Sequence, residues 1–174
     1  MIIGGWRGPG WRVTDADPRL TGQVRDWIRS AVSGHDCPAD PDDAALAVSE
    51  LFANALMHGP RGGRVLVAYY LWGQGARIVV CDGGGLTTPH LVPDGGLADG
   101  GRGLHVVNSI AAQWDTFRLP AARVVWSDFG QPLRAANSDA WAWLRLVLSV
   151  HSLSGPGLPV AAAMPGTMAA LGPR

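Results

Sequence analysis

The spacing of hydrophobic residues follows two patterns along this chain. Apolar residues recur every three or four positions over residues 18–33 and 41–57, a spacing that predicts two amphipathic helices. Nearly continuous apolar runs over residues 64–71 and 77–82 flank the sequence Gly-Gln-Gly, which is typical of a tight turn. These two runs therefore predict a β-hairpin.

Both patterns return after a long segment that is rich in glycine. Residues 104–112 predict a third helix, and residues 114–119 and 124–129 predict two further strands joined at Pro120. The predicted order is helix, helix, two strands, loop, helix, two strands. This order predicts an α/β fold, a two-layer sandwich in which helices cover one face of a mostly antiparallel mixed sheet.

Composition divides the chain into four predicted parts. A leader rich in glycine and tryptophan covers residues 1–10, and the α/β domain covers residues 11–130. Residues 131–151 contain a further helix that is apolar on nearly every side, so it must pack against this domain, a second copy of the chain or a partner. We expect it to mediate self-association, as in a homodimer, or partner binding. Residues 152–174 have the Pro/Gly/Ala composition of a tail without fixed structure.

Charge and hydropathy argue against several classes of function. The 14 basic residues, all arginine, balance the 14 acidic residues, so no net charge favours direct binding to nucleic acid or to an anionic membrane. No apolar run approaches the roughly 20 residues of a membrane span, and the N-terminus lacks the apolar core of a signal peptide. Cys37 and Cys81 provide no disulfide framework or metal-binding spacing. We therefore expect a cytoplasmic protein.

Polar side chains recur on one face of the second predicted helix. Glu50, which is the only glutamate of the chain, Asn54 and His58 are four residues apart, and a helix with about 3.6 residues per turn places them in one stripe. Unpaired burial of such groups is costly, so the stripe predicts a metal ion, a polar ligand or contacts within the stripe. Taken alone, it could also be a solvated helix face, and His58 could equally cap the helix end.

Two glycine-rich segments follow the stripe. Residues 82–85, Asp-Gly-Gly-Gly, end a predicted strand, and residues 100–104, Gly-Gly-Arg-Gly-Leu, open a predicted helix. Glycines let backbone N–H groups approach a ligand, and a helix N-terminus favours phosphate. A carboxylate at a strand end can accept a hydrogen bond from an exocyclic amine. Each segment alone is more often a turn or loop, but together they favour an adenine nucleotide.

In this order and spacing, the three segments resemble the ATP-binding domain shared by gyrase, histidine kinases and anti-sigma-factor serine kinases, the Bergerat or histidine-kinase-like ATPase fold. The resemblance covers residues 11–130. The phrase Ser-Glu-Leu-Phe-Ala-Asn-Ala at residues 49–55, the later Gly-Arg-Gly-Leu and the Val-Val-Trp of the last strand are most similar to the small bacterial anti-sigma-factor serine/threonine kinases of the actinobacterial type.

The resemblance implies a role for each residue of this chain that matches the family's motifs. Glu50 would act as general base on an attacking hydroxyl, and Asn54 would coordinate a Mg²⁺ ion that bridges the phosphates. Asp82 would bind the adenine amino group, and Gly84 would shape the adenine pocket. The lid would span residues 86–99. The phosphate-binding loop would consist of Gly101, Arg102, Gly103 and Leu104.

The function that the resemblance implies is that of an ATP-binding regulator. Such a protein would bind Mg-ATP and a sigma factor or an anti-sigma antagonist, and would phosphorylate a serine or threonine of the antagonist. The alternative is a non-catalytic protein-interaction module on the same fold, with the nucleotide structural or lost. Two observations favour this alternative: Leu86 stands where the adenine motif usually ends in glycine, and the lid contains no arginine.

Overall fold

The computed structural model describes residues 7–84 and 102–132, together with residues 144, 145, 147–149, 151 and 153. The helices are α1 (Thr21–Ser33), preceded by a 3-10 turn at Pro18–Leu20, α2 (Pro41–His58) and α3 (Arg102–Ile110). The strands are β1 (Arg7–Asp15), β2 (Arg64–Trp72), β3 (Gly75–Asp82), β4 (Gln113–Leu119) and β5 (Ala122–Gly130). In this part of the chain, no helix is both long enough and apolar enough to cross a membrane.

The five strands form one sheet in the order β1-β2-β3-β5-β4, and every neighbouring pair is antiparallel. Short turns join β2 to β3 and β4 to β5, so the two predicted hairpins are present. The β3–β5 pairing brings the hairpins side by side. The predicted α/β class, with helices on one face of an antiparallel sheet, is confirmed.

Strand β1 is an element that the sequence pattern did not predict, and part of it lies in the predicted leader. It occupies an edge of the sheet and pairs with β2 alone, with a register shift between Arg7 and Gly10. Between Gly10 and Asp15 its residues are half-buried or exposed on both sides, so the chain shows no alternation of apolar and polar positions there. An edge strand of this kind leaves little signal in the sequence.

Helix α3 begins and ends two residues earlier than predicted. At its end, the Ala112 N–H donates to the Asp128 carbonyl at 2.8 Å, which ties the chain to β5 and directs it into β4. The early start matters more for function, because Arg102 and Gly103 lie in the first turn of the helix instead of in a preceding loop.

The two faces of the sheet are covered by different parts of the chain. On one face, helices α1 and α2 bury a core that includes Ile28, Phe52 and Ile78. On the other face, Leu66 and Val124 belong to a second buried cluster. Successive residues of a strand point to opposite faces, which separates the two clusters along the same strands. The first face is called the helix face below, and the second the outer face.

Residues from the predicted C-terminal helix lie against the outer face. Residues 144, 145 and 147–149 include helical positions, and Leu144 and Val147 are buried in the outer cluster. Packing against the chain's own domain is therefore shown for these two residues, and self-association stays a prediction. Leu153, in the predicted tail, is also buried, and its carbonyl accepts a hydrogen bond from the Arg64 N–H at 3.1 Å.

Candidate functional site

Helix α2 positions the polar stripe that the sequence analysis singled out. The side chain of Asp40 caps the helix by accepting a hydrogen bond from the Asp42 N–H at 2.8 Å, and Pro41 occupies the first turn. The core face of α2 includes Val48 and Phe52, both fully buried, and this burial fixes the rotation of the helix. Glu50 and Asn54 are thereby held on the side of α2 that faces α3.

Asn54 is buried without full hydrogen bonding. Its side chain is 7 % exposed, and its Nδ2 atom has no hydrogen-bond partner in the described part of the chain. A buried donor left unpaired costs about 1–3 kcal/mol. The oxygen and nitrogen of an asparagine amide can exchange places by rotation, so the group can offer an oxygen to a cation or N–H donors to an anion. Asn54 is therefore suited to a ligand from outside the chain.

The first turn of α3 lies directly beside both polar side chains. A Cβ atom added at Gly103 would lie 2.7 Å from Glu50 Oε2 and 3.7 Å from Asn54 Nδ2, so the absence of a side chain permits this approach. The first N–H groups of a helix lack partners within the helix, and this end carries a partial positive charge. Glu50, Asn54 and the start of α3 thus surround one place with donors, a carboxylate and a carboxamide.

The other two described residues of the predicted phosphate-binding loop, Arg102 and Leu104, differ in exposure. The Arg102 side chain is exposed at the start of α3. The Leu104 side chain is 6 % exposed and belongs to the core of the helix face, so any contact with a ligand there is left to its backbone. Gly101 and the predicted lid, residues 86–99, lie outside the described residues.

A second group of polar side chains lies at the end of β3. Asp82 and Arg123 are direct neighbours across the β3–β5 pairing, and they are 4 % and 1 % exposed. Arg123 donates from Nε at 3.0 Å and from Nη2 at 2.6 Å, in both cases to Oδ2 of Asp82. The other oxygen, Oδ1, accepts the Gly84 N–H at 2.8 Å. The carboxylate is thus paired on one side and turned toward a backbone loop on the other.

Gly84 makes this loop possible. Its φ angle is +77°, in the left-handed region that residues with a side chain rarely adopt. The turn brings the Gly84 N–H onto Oδ1 of Asp82 and so fixes the orientation of that oxygen. The family resemblance implies that Gly84 shapes the adenine pocket. The structure places Gly84 beside Asp82, and its role in the pocket stays a prediction.

Helix α2 connects the two groups. A Cβ atom added at Gly59, which follows the helix, would lie 3.4 Å from Cβ of Asp82. Gly59 is five residues beyond Asn54, about 7.5 Å along the helix axis at about 1.5 Å per residue. One end of the site therefore offers a carboxylate acceptor, and the other offers anion-binding donors. This is the polarity that a nucleotide needs, with its base at Asp82 and its phosphates beside α3.

The site residues also suit a magnesium ion that arrives with a nucleotide. In the described residues, no cluster of three or more histidine, cysteine, aspartate or glutamate side chains could hold a metal. Mg²⁺ keeps several waters and is usually bound through one or two protein ligands plus substrate phosphates. The amide of Asn54, with Glu50 nearby, matches that sparse requirement.

Cys81 precedes Asp82 on the strand but points to the outer face. Burial raises the pKa of its thiol well above the ordinary value of 9.0, and the Asp82 carboxylate adds to the rise. The thiol is therefore neutral at physiological pH and inert as a nucleophile. This agrees with its place in the outer cluster.

Arg123 is the site residue that the sequence analysis did not select. It stands in a strand whose other nearby residues are apolar, and a buried arginine in such a strand needs a carboxylate partner. That signal could have pointed to an ion pair. Its partner, however, depends on the register between β3 and β5, which are not consecutive along the chain.

Comparison with known proteins agrees with this geometry. A search among curated proteins finds no match. The model of one protein family, described as the histidine kinase-like ATPase domain, matches residues 14–131. The match covers more than half of the chain, includes every site residue discussed above and supports ATP binding. The chain belongs to the histidine kinase-like ATPase domain family.

Proposed function

We propose that this protein is a serine/threonine kinase of the anti-sigma-factor type, which binds Mg-ATP and phosphorylates a serine or threonine of an anti-sigma antagonist. One observation carries the proposal: within the described residues, the buried Nδ2 of Asn54 has no hydrogen-bond partner, and it lies beside Glu50 and the first turn of α3. A domain that needed only its fold would gain stability by replacing this amide with an apolar group. A buried N–H donor beside a helix N-terminus supports a ligand rich in phosphate oxygens.

The described residues suggest how the chain would promote phosphoryl transfer. The attacking hydroxyl oxygen forms a bond to the γ-phosphorus, the bond from that phosphorus to ADP breaks, and Glu50 accepts the hydroxyl proton. The N–H groups of the first turn of α3 and the exposed Arg102 would stabilise negative charge on the phosphates. Asn54 would hold Mg²⁺, which when bound supplies charge neutralisation between the phosphates.

Exposed apolar side chains beside Glu50 support a protein as the phosphate acceptor. Among the described residues, the exposed large hydrophobic side chains are Leu46 and Met57, at 43 % and 58 % exposure. Both lie on α2, about three helical turns apart, so they point to the same side. Glu50 lies between them on that side of the helix. A protein that covered both side chains could present a hydroxyl to Glu50.

The proposal includes partners and location that follow from the anti-sigma-factor assignment. The partner would be a sigma factor or the antagonist, the location would be the cytoplasm, and the chain could act as a homodimer. The sigma-factor and antagonist partners rest on the sequence resemblance, the homodimer on the predicted apolar helix of residues 131–151, and the location on cysteine content and hydropathy. The balanced net charge of the chain supports a protein partner over nucleic acid.

The test is a transfer assay with labelled Mg-ATP and a purified candidate antagonist. We expect transfer by the wild-type chain and its loss in Glu50→Gln, which removes the proton acceptor with little change in shape. Asp43→Asn is the matched control, because it makes the same chemical change in the first turn of α2, away from α3. Equal transfer by wild type and Glu50→Gln would rule out the general-base role.

The second candidate is a non-catalytic protein-interaction module, and the Asp82–Arg123 pair favours it. The carboxylate is already neutralised by a buried arginine, so the fold does not need a nucleotide at this end. In that case, capture of a sigma factor or an antagonist would be unchanged by removal of ATP and by Glu50→Ala. Loss of capture on either change would count against the module.

A further inference from the structure

We propose that Arg123 sets the base specificity of the nucleotide site, because it leaves Asp82 with a single free acceptor position. The inference rests on the proposed function, in which Asp82 receives the base of a nucleotide. It adds a positioning residue that acts through Asp82, and it makes a statement about which purine the site accepts.

The hydrogen bonds that Asp82 forms with the described residues can be counted. A carboxylate has about four acceptor positions, two on each oxygen. Arg123 fills both positions of Oδ2 with its Nε and Nη2 donors, and the Gly84 N–H fills one position of Oδ1. Among the residues that the structure describes, nothing fills the second position on Oδ1. The side chain can therefore accept one further N–H.

This acceptor pattern is rigid. Both side chains of the pair are at least nine-tenths buried, so water has little access to replace a lost hydrogen bond. Arginine remains protonated in proteins, which keeps a full positive charge beside Oδ2. The register of β3 against β5 holds the two residues opposite each other, and the turn at Gly84 fixes Oδ1. Rotation of the carboxylate would break three hydrogen bonds at once.

The two purines differ in the hydrogen-bond donors that they would present to such a carboxylate. Adenine presents one exocyclic amine beside a ring nitrogen that is an acceptor, so a single acceptor position satisfies it. Guanine presents two neighbouring donors, a ring N–H and an exocyclic amine, which together match both oxygens of a free carboxylate. With Oδ2 filled, the second guanine donor would face the Arg123 guanidinium. A site that leaves a buried donor unpaired discriminates strongly against that ligand.

The experiment measures the affinities of Mg-ATP and Mg-GTP by calorimetry on the full chain. For the wild type, we expect ATP to bind at least about 100-fold more tightly than GTP. In Arg123→Lys, a single ammonium group replaces the two N–H donors that converge on Oδ2, so one acceptor position of Oδ2 becomes open. The ATP preference should then fall about tenfold, which corresponds to about 1.4 kcal/mol, while ATP still binds.

Arg77→Lys is the matched control for this change. Arg77 forms another buried arginine–aspartate pair between β3 and β5, with Asp128, but on the outer face. The control should keep the wild-type ratio of ATP to GTP affinity. A purely structural role for Arg123 would weaken both nucleotides together, and a change in the ratio would not follow from it.

The outcomes separate the inference from the proposed function. An unchanged ratio in folded Arg123→Lys, or equal affinity of the wild type for ATP and GTP, would overturn the inference and leave nucleotide binding intact. Binding of neither nucleotide by the wild type would remove the proposed function and the inference with it.

If thermal melting shows that Arg123→Lys does not fold, purine riboside triphosphate, which lacks the 6-amino group, replaces the variant. It should bind the wild type at least about tenfold less tightly than ATP, and equal binding would overturn the inference.

Discussion

Two buried arginine–aspartate pairs join the same two strands of this protein, β3 and β5, but they lie on opposite faces of the sheet. On the outer face, Arg77 donates from Nε to Oδ1 of Asp128 at 2.6 Å and from Nη2 to Oδ2 at 2.9 Å. The Asp128 carboxylate accepts a third hydrogen bond, from Nε2 of Gln113 to Oδ2 at 2.8 Å. On the helix face, both donors of Arg123 go to one oxygen of Asp82.

The difference lies in how the arginine engages the two oxygens of each carboxylate. Arg77 meets Asp128 as a fork that engages both oxygens, and its guanidinium also lies 4.0 Å from the centre of the Trp126 ring. Both residues of that pair are buried, at 5 % and 0 % exposure. Asp82 keeps one oxygen turned away from its arginine, at the end of a strand beside α2. Burial and residue type are the same in both pairs, so the way in which the arginine donors are shared between the oxygens, and the place of the pair on the sheet, are what set the two pairs apart.

The largest expected effect comes from breaking the outer pair. Asp128→Asn would leave the buried Arg77 charge without its counterion, which should lower the free energy of unfolding by about 3–5 kcal/mol. Urea denaturation of the variant and the wild type measures this directly. Asp115→Asn, on the exposed part of β4, is the control and should change stability by less than about 0.5 kcal/mol. A cost below about 1 kcal/mol for Asp128→Asn would mean that the outer pair is not a structural element.

The comparison also shows what could be predicted from the sequence. The apolar runs of β2, β3 and β5 and the three-to-four spacing of α1 and α2 predict these elements, because burial dictates both the pattern and the structure. Strand β1 is partly exposed on both sides, so its pattern carries no such signal. The helices and the two hairpins followed from local sequence, and the β1 edge of the sheet did not.

The candidate site divides in the same way. Glu50 and Asn54 are one helical turn apart, so their common face could be predicted from spacing alone. Their contact with Gly103 depends on the packing of α3 against α2 and could be expected only through the family resemblance. The partners Asp82 and Arg123 are 41 residues apart in sequence, and their pairing requires the register of two non-consecutive strands. Local spacing carries no information about that register.

The second expected effect concerns pH and the outer face alone. Burial raises the pKa of Tyr70 above its ordinary value of 10.0, and burial raises the pKa of Cys81 above 9.0. As the pH rises, the unfolded chain therefore releases these protons first. The contribution of these two buried groups to the free energy of unfolding is fully present below about pH 9. Above that pH, the free energy of unfolding should fall by about 1.4 kcal/mol per pH unit for each group that loses its proton only in the unfolded chain.

Urea unfolding at a series of pH values measures this loss. Cys81→Ala should remove the fall between about pH 9 and pH 10 while keeping the fall above pH 10 that belongs to Tyr70. A slope that is identical in Cys81→Ala and the wild type would show that the buried thiol does not contribute.

A smaller effect of opposite sign is expected at the functional end of the molecule. Asn54→Leu replaces the unpaired amide with an apolar group of similar size, so the variant should be equally stable or more stable by about 1 kcal/mol. It should also lose the increase in melting temperature that Mg-ATP gives the wild type. Thermal melting with and without Mg-ATP tests both statements. A loss of stability above about 1 kcal/mol would indicate that Asn54 is held by the fold and not kept for a ligand.

The smallest expected change in stability belongs to Gly103→Ala. The new methyl group would lie 2.7 Å from Glu50 Oε2, but that oxygen is the end of a flexible side chain, which can move away. Alanine is also the better helix former by up to about 1 kcal/mol, so the free energy of unfolding should stay within about 1 kcal/mol of the wild type. Displacing Glu50 and filling the approach to α3 should nevertheless weaken Mg-ATP binding by about tenfold or more, about 1.4 kcal/mol. Gly22→Ala in α1 is the control, because a Cβ atom there meets nothing within 4 Å. If both variants bound Mg-ATP like the wild type, the phosphates could not lie against the first turn of α3, and the site would have to be placed elsewhere along α2.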